Sequence, residues 1–254
     1  MKHVEFLGIP GAGKSTLCDH LVESLQTDGR DAYDIKEAAY LGLARKTGFL
    51  YINQSTGRLP ARASKRVLTL INKYTSLEQE YLRQFLIKHP DLMALIFSHI
   101  SANAPTADRK ELYTKWFCKT ISRYELANQH LTDDELLLFD EGFANRSLTL
   151  FYHQAEISES DVEEYASQIP RPDVLVLPEV EPEIACDRMA QRKKGFPPAY
   201  SEVDRKTRLE ILRQNQGLVD TTAEVLEHRG CEIHRVDNTQ ELQLVTSTIN
   251  QIVR

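Results

Sequence analysis

The chain has 254 residues, of which 41% are hydrophobic and 27% charged, an ordinary balance for a globular protein with a sizeable core. The formal net charge of −6 argues against a general nucleic-acid binder, because affinity for a polyanion depends mainly on basic surface. No apolar run is long enough for a bilayer, no signal-peptide pattern precedes the first strand, and the four cysteines are scattered. The sequence therefore predicts a cytoplasmic protein with reduced thiols and no membrane partner.

Short apolar runs alternate with helix-spaced segments along the chain. "KHVEFLG" at the N-terminus predicts the first strand, and later runs predict four more, at residues 31–35, 135–139, 173–177 and 231–236. Continuous apolar strands separated by helices are typical of a parallel sheet covered on both faces. We predict a single α/β domain over residues 1–254, with a five-stranded parallel sheet flanked by helices. A large helical insertion, residues 45–130, lies between strands 2 and 3.

The stretch "FLGIPGAGKST" satisfies the pattern G-x-x-x-x-G-K-[ST], and it follows a strand and opens a helix. Glycines let the backbone approach a phosphate chain closely, and the helix N-terminus adds partial positive charge. Lys14 would reach the β- and γ-phosphates, and the Ser15 hydroxyl would ligate Mg²⁺. The sequence therefore predicts ATP and Mg²⁺ as cofactors, held by Gly8, Pro10, Gly11, Ala12, Gly13, Lys14, Ser15 and Thr16.

Acidic residues follow two of the predicted strands, where parallel strands present their carboxyl ends to one crevice. "ELLLFDEGF" ends an apolar strand in Asp140 and Glu141, and Glu37 closes the second strand in "DIKEAAY". Asp140 is the better metal-site candidate, beside Ser15. Glu141 could orient an attacking water in an ATPase or line an acceptor pocket in a kinase. Glu37 could take an acceptor proton or act only as a helix-start acid.

These stretches together resemble the thymidylate kinase and deoxynucleoside kinase group. The likeness also covers "FDEGFANRSLTLFY", "RPDVLVLPEVEPEIACDRMAQRKKG" and "HRVDNTQELQLVTSTINQI", about half of the chain. It implies a P-loop kinase fold, an arginine-rich lid at residues 188–200, and an adenine-side loop at Asp237 and Asn238. Glu141 stands where that group carries an arginine, which leaves Arg146 as the substrate-binding candidate.

Basic residues are the remaining site candidates. Arg188 and Arg192 are spaced i,i+4, which predicts a shared helix face able to clamp the transferring phosphoryl group. Arg62 and Arg66 are also four apart, at the beginning of the insertion. If they face the crevice, the acceptor is anionic; an ordinary solvated helix face explains them equally.

The sequence thus predicts a Mg²⁺-dependent kinase that moves the ATP γ-phosphoryl group to a small acceptor, most simply a nucleotide or nucleoside. The catalytic candidates are Lys14, Glu37, Asp140, Glu141, Arg188 and Arg192. Alternatives are a kinase of a non-nucleotide hydroxyl metabolite and an ATPase in which Glu141 activates water. A GTP switch is disfavoured, because "INKYT" lacks the aspartate of a guanine-recognition signature. The sequence is also compatible with a homodimer.

Overall fold

A computed structural model describes residues 1–46, 77–151, 158–193, 195–201 and 203–253. In these ranges the strands form one five-stranded sheet in the order β2-β3-β1-β4-β5, and every adjacent pair is parallel. The strands are β1 (Lys2–Phe6), β2 (Ala32–Asp34), β3 (Leu136–Phe139), β4 (Val174–Glu179) and β5 (Glu232–Asp237). The α/β class and the five-stranded parallel sheet expected from the sequence are confirmed.

Helices cover both faces of this sheet. They are α1 (Lys14–Thr27), α2 (Ile35–Lys46), α3 (Leu77–Lys88), α4 (Pro90–Asn103), α5 (Ala107–His130), α6 (Phe143–Phe151), α7 (Glu159–Gln168), α8 (Pro182–Ala190), α9 (Pro198–Ser201), α10 (Arg205–His228) and α11 (Leu242–Ile252). Side chains alternate along each strand, so β3 sends Leu136 and Leu138 to the layer of α1 and α11. Leu137 and Phe139 face the layer that contains α5, α6 and α10. Two apolar layers therefore hold the sheet, which explains why β3 and most of β4 are apolar and buried on both faces.

The helical region before β3 packs on the second of these layers. α2, α3 and α5 meet at a small separate cluster that includes Leu43, Tyr81 and Leu126. The predicted helix after Pro60, with Arg62 and Arg66, lies outside the described residues. No described helix is long and apolar enough to cross a membrane.

Two sequence expectations are corrected by the structure. α8 ends at Ala190, so Arg188 is helical whereas Arg192 follows the helix, and the two do not share a helix face. β4 runs two residues beyond the predicted end, through Pro178 to Glu179. Past Val176 the strand pairs only with β5, so a residue without a backbone N–H is tolerated there.

Candidate active site

The phosphate loop runs from the end of β1 to the start of α1. Gly11 and Gly13 have φ angles of 96° and 89°, a left-handed conformation that strongly favours glycine. A side chain at Gly11 would meet the backbone of Ala185 in α8, and one at Gly13 would meet the side chain of Asn238. The loop therefore needs glycine both for its conformation and for close contact with the elements around it.

Lys14 begins α1 and turns its side chain back over the loop. Its Nζ donates hydrogen bonds to the carbonyl oxygens of Gly8, at 2.6 Å, and Ile9, at 3.2 Å. The pKa of Lys14 is lowered to about 8, mainly by burial; Glu141 and Asp140 oppose this shift, and the nearby Arg192 adds to it. Arg192 is thus near Lys14 although it lies beyond α8. The ammonium group occupies a partly desolvated site whose natural complement is an anion.

Asp140 follows β3 and lies close to α1. Burial raises the pKa values of Cys18 and Asp19 in α1, and the Asp140 carboxylate adds to both shifts. Asp140 and Lys14 also interact electrostatically. This carboxylate therefore lies beside the first turn of α1, which also carries Ser15 and the exposed Thr16.

These residues fit a Mg²⁺ ion that is shared with a nucleotide. Among the residues that the structure describes, no group of three or more His, Cys, Asp or Glu side chains could hold a metal. Mg²⁺ usually takes only one or two carboxylates from the protein and completes its octahedron with phosphate oxygens and water. One carboxylate, from Asp140, and one hydroxyl, from Ser15, are the kind of protein ligands that this pattern requires.

Glu141 and Arg146 form an ion pair beside the loop. Arg146 Nη2 lies 3.1 Å from Glu141 Oε2, and the guanidinium carbon is 5.6 Å from the centre of the Trp116 ring. The Arg146 side chain is only 11% exposed, whereas that of Glu141 is 57% exposed. Arg146 Nε also donates to Thr120 Oγ1 at 3.4 Å. α5 therefore holds the arginine in place, and Glu141 is the more accessible partner.

Glu37 lies at the start of α2, next to the end of β2. Asp34 Oδ1 accepts hydrogen bonds from the amides of Lys36 and Glu37, at 2.6 and 2.7 Å. In return, the Asp34 amide donates to Glu37 Oε2 at 3.4 Å. This reciprocal arrangement is a capping box, which accounts for an acidic residue here without any acceptor. The acceptor role of Glu37 remains a prediction.

Arg188 and Asn238 join α8, the turn after β5 and the phosphate loop. Arg188 Nη2 donates to the carbonyl oxygen of Asn238 at 2.8 Å, and Asn238 Nδ2 donates to the carbonyl oxygen of Ala12 at 2.5 Å. Asp237 instead accepts from Thr239 in its own turn, which lowers the Asp237 pKa. Asn238 thus contacts the loop directly, while the Asp237 carboxylate is engaged in forming the turn.

One residue of the site was missed by sequence reasoning. Glu5 lies in the central strand with 0% exposure, and its two carboxylate oxygens accept hydrogen bonds from the Phe143 and Ala144 amides of α6. The sequence feature that could have identified Glu5 is a single acidic residue within the mainly apolar segment "HVEF". Buried acids are rare without a partner, so such a position indicates a specific contact.

Comparisons with known proteins give little beyond this geometry. No protein-family model matches the sequence, and no curated protein matches it. Among solved structures the chain is similar to shikimate kinase from Acinetobacter baumannii in complex with shikimate. The two are 16% identical with a TM-score of 0.38, over 100% of this chain and 93% of that chain. We therefore argue function from the geometry of the site.

Proposed function

We propose that this protein is a Mg²⁺-dependent kinase that transfers the γ-phosphoryl group of ATP to a small hydroxyl-bearing acceptor. The observation that carries the proposal is the meeting of three features at one edge of the sheet. Lys14 lies in a glycine-rich loop, Asp140 lies beside it, and the Glu141–Arg146 pair follows within six residues. Phosphoryl transfer needs positioned cations, a metal carboxylate and an oriented nucleophile more than covalent chemistry.

On the donor side, the loop from Gly8 to Thr16 would hold the phosphates through its backbone N–H groups, Pro10 excepted, and the Lys14 ammonium would leave its loop carbonyls to contact them. Ser15 and Asp140 would hold Mg²⁺, which when bound neutralises charge on the β- and γ-phosphates. Arg192, near Lys14, would contact the transferring group. Arg188 would act from α8, beside the adenine-side turn of Asp237 and Asn238.

On the acceptor side, Glu141 would orient the acceptor hydroxyl and take its proton, and Arg146 would pair with an anionic group of the acceptor. The exposure of Glu141 supports the first role, and the restrained guanidinium supports the second. Glu37 at the start of α2, and Arg62 and Arg66 in the insertion, remain proposed acceptor contacts.

Two acceptor classes follow from different observations. The likeness to thymidylate kinases favours a nucleotide or nucleoside. The Glu141–Arg146 pair needs only a hydroxyl and an anionic group, which also fits a non-nucleotide hydroxyl metabolite. Both classes use the same donor site and the same chemistry, so they differ only in which compound completes the reaction.

The test is ADP release from Mg·ATP in the presence of nucleoside monophosphates, nucleosides, sugars and hydroxy acids. We expect one class to give acceptor-dependent turnover with a kcat on the order of 1–100 s⁻¹. Lys14→Ala should abolish it. If nucleoside monophosphates fail and another hydroxyl compound works, the non-nucleotide alternative is the correct one. Failure of every acceptor would contradict the kinase proposal.

A P-loop ATPase is the second candidate, because the exposed Glu141 carboxylate could orient a water as well as a hydroxyl. Brisk hydrolysis without acceptor that is abolished by Glu141→Gln would favour it. In a kinase, the same substitution lowers acceptor-dependent transfer, and the acceptor-free rate is low from the beginning.

A further inference from the structure

Glu5 caps α6 from the middle of the sheet. Its Oε1 accepts from the Phe143 amide at 3.0 Å, and its Oε2 accepts from the Ala144 amide at 2.8 Å. These amides belong to the first turn of α6, whose N–H groups have no partner within the helix. A carboxylate there also interacts favourably with the positive end of the helix dipole. His3 Nε2, on the same side of the strand, lies 3.1 Å from Oε1.

The segment between β3 and α6 passes directly over this carboxylate. A side chain at Gly142 would collide with the carboxyl group of Glu5, so only glycine allows the backbone this close. Asp140 and Glu141 immediately precede Gly142, and the Arg146 amide donates to the Gly142 carbonyl oxygen at 3.0 Å. Glu5 therefore contacts the part of the backbone from which the acceptor-side groups project.

Glu5 is also close in sequence to the donor site. It stands three residues before Gly8 on the central strand, which pairs with both β3 and β4. A fully buried side chain on this strand has little freedom to move. The carboxylate thus joins the strand that carries the phosphate loop to the helix that carries Arg146.

We propose that Glu5 is a positioning residue that fixes Glu141 and Arg146 relative to the phosphate loop. This inference rests on the proposed function, because the step it serves is in-line transfer between a donor and an acceptor. Glu5 touches neither of them. Its contribution is the alignment of the two halves of the site, which reacting groups need to within a fraction of an ångström.

The chain contains an optical reporter for this alignment. Trp116 is its only tryptophan, and the Arg146 guanidinium lies over its ring. A shift of α6 moves Arg146 relative to Trp116, and this changes the emission of the indole and its quenching by acrylamide. The signal requires no turnover and no ligand.

The main variant is Glu5→Gln, which keeps the size of the side chain but replaces one acceptor oxygen by an N–H donor. We expect kcat to fall by about tenfold to a hundredfold while the KM for ATP changes by less than about twofold. We also expect altered Trp116 emission and quenching, and faster exchange of the Phe143 and Ala144 amides.

The matched control is Glu135→Gln. Glu135 is also a buried acid that pairs with Arg45. It immediately precedes the first residue of β3, whereas the candidate site follows the last residue of that strand. We expect this variant to lose thermal stability while kcat and the Trp116 signal stay unchanged. A purely structural role of Glu5 would give the same result for Glu5→Gln, with stability reduced and both site readouts unaltered, and would overturn the inference.

Gly142→Ala tests the same contact from the other side and keeps the inference testable if Glu5→Gln does not fold. The added methyl group should push against the Glu5 carboxylate, lowering kcat and changing Trp116 emission. Adding Glu5→Asp, which shortens the acid by one methylene, should recover part of the loss. Strictly multiplicative effects of the two substitutions would count against the contact.

Failure of this inference and failure of the proposed function give different results. If no acceptor is phosphorylated, the function is wrong, and the positioning role in transfer falls with it whatever the Trp116 signal shows. If the wild type phosphorylates an acceptor but Glu5→Gln leaves kcat, amide exchange and Trp116 emission unchanged, the function stands and Glu5 has no positioning role.

Discussion

The environment of Lys14 disfavours its positive charge, and a bound nucleotide would reduce that penalty. Without an anion, its ammonium group bonds to two carbonyl oxygens of its own loop, and burial lowers its pKa to about 8. A phosphate chain would supply the negative charge that this site lacks. Binding should therefore raise the pKa again, which couples nucleotide affinity to proton uptake.

The first prediction concerns the pH dependence of nucleotide binding. Affinity for Mg·ATP should decline as pH rises through about 8, because an increasing fraction of Lys14 is neutral in the free protein. Calorimetry at pH 8.5 in buffers of different ionisation enthalpy should detect proton uptake on binding. Lys14→Arg keeps its charge at every accessible pH, so its affinity, even if weaker, should not follow this decline. An equal decline in both proteins would assign the effect to another group.

The second prediction concerns stability in the absence of nucleotide. The folded-state pKa of Lys14 is below the usual lysine value of 10.5, so burying its charge destabilises the fold at pH 7, and this cost disappears as pH rises from about 8 to 10.5. Between pH 7.5 and 10, wild type should gain about 2–3 kcal/mol in unfolding free energy relative to Lys14→Met. Denaturant unfolding of both proteins at pH 7.5 and 10 measures the difference. A constant difference would mean that Lys14 does not titrate there.

At the scale of elements, the phosphate loop is enclosed by two neighbours. α8 contacts it at Gly11, and the turn after β5 contacts it at Gly13 and Ala12 through Asn238. Arg188 then joins those two neighbours to each other. The loop conformation is thus supported from outside as well as by its own glycines.

The third prediction tests this support. Asn238→Ala should weaken Mg·ATP binding by about threefold to tenfold, since it removes one hydrogen bond to the loop. Arg188→Ala should act partly through the same turn, so the double variant should lose less than the product of the two single effects. Asn215→Ala is the control, because Asn215 is equally buried but bonds to Tyr200. If the loss of Mg·ATP affinity in the double variant equals the product of the two single losses, Asn238 and Arg188 act independently.

Local patterns allowed the strands, the loop and the position of Asp140 at the end of β3 to be predicted, because each depends on residues adjacent in sequence. Contacts between distant segments could not be predicted in this way. The acid at position 5 meets an amide at position 143, and Arg188 meets a carbonyl oxygen at position 238. The i,i+4 spacing of Arg188 and Arg192 suggested one helix face, but spacing alone does not show where a helix ends. At Glu37 a helix-start acid was one of two alternatives, and the structure shows this acid in a capping box with Asp34, which depends on the exact start of the helix.

At the scale of the whole molecule, an ion pair joins α2 to the beginning of β3. Arg45 forms two hydrogen bonds with the carboxylate of Glu135, and Arg45 Nη1 also donates to the carbonyl oxygen of His130. Burial of Glu135 opposes its ionisation, but the bonds from Arg45 and Thr132 outweigh that effect and lower its pKa. The pair therefore stabilises the fold in the ionised state.

The fourth prediction follows from this direction. Stability from Glu135 is present above its unfolded-state pKa and is lost as pH falls through the lower folded-state pKa. Glu135→Gln should cost about 2 kcal/mol at pH 7, less than a fully buried pair because the Arg45 side chain is 30% exposed. Its unfolding midpoint should also fall less steeply below pH 4.5 than that of the wild type. If the unfolding midpoints of the two proteins fall equally steeply with decreasing pH, the ionised Glu135 does not stabilise the fold.

The two outermost strands of the sheet limit how copies of this chain can associate. β2 contributes only three residues, and β5 is rich in charge, with Glu232, Arg235 and Asp237 among its six residues. Short or charged borders are poor templates for strand addition. Among the described residues, self-assembly by extension of the sheet beyond β2 or β5 is therefore disfavoured.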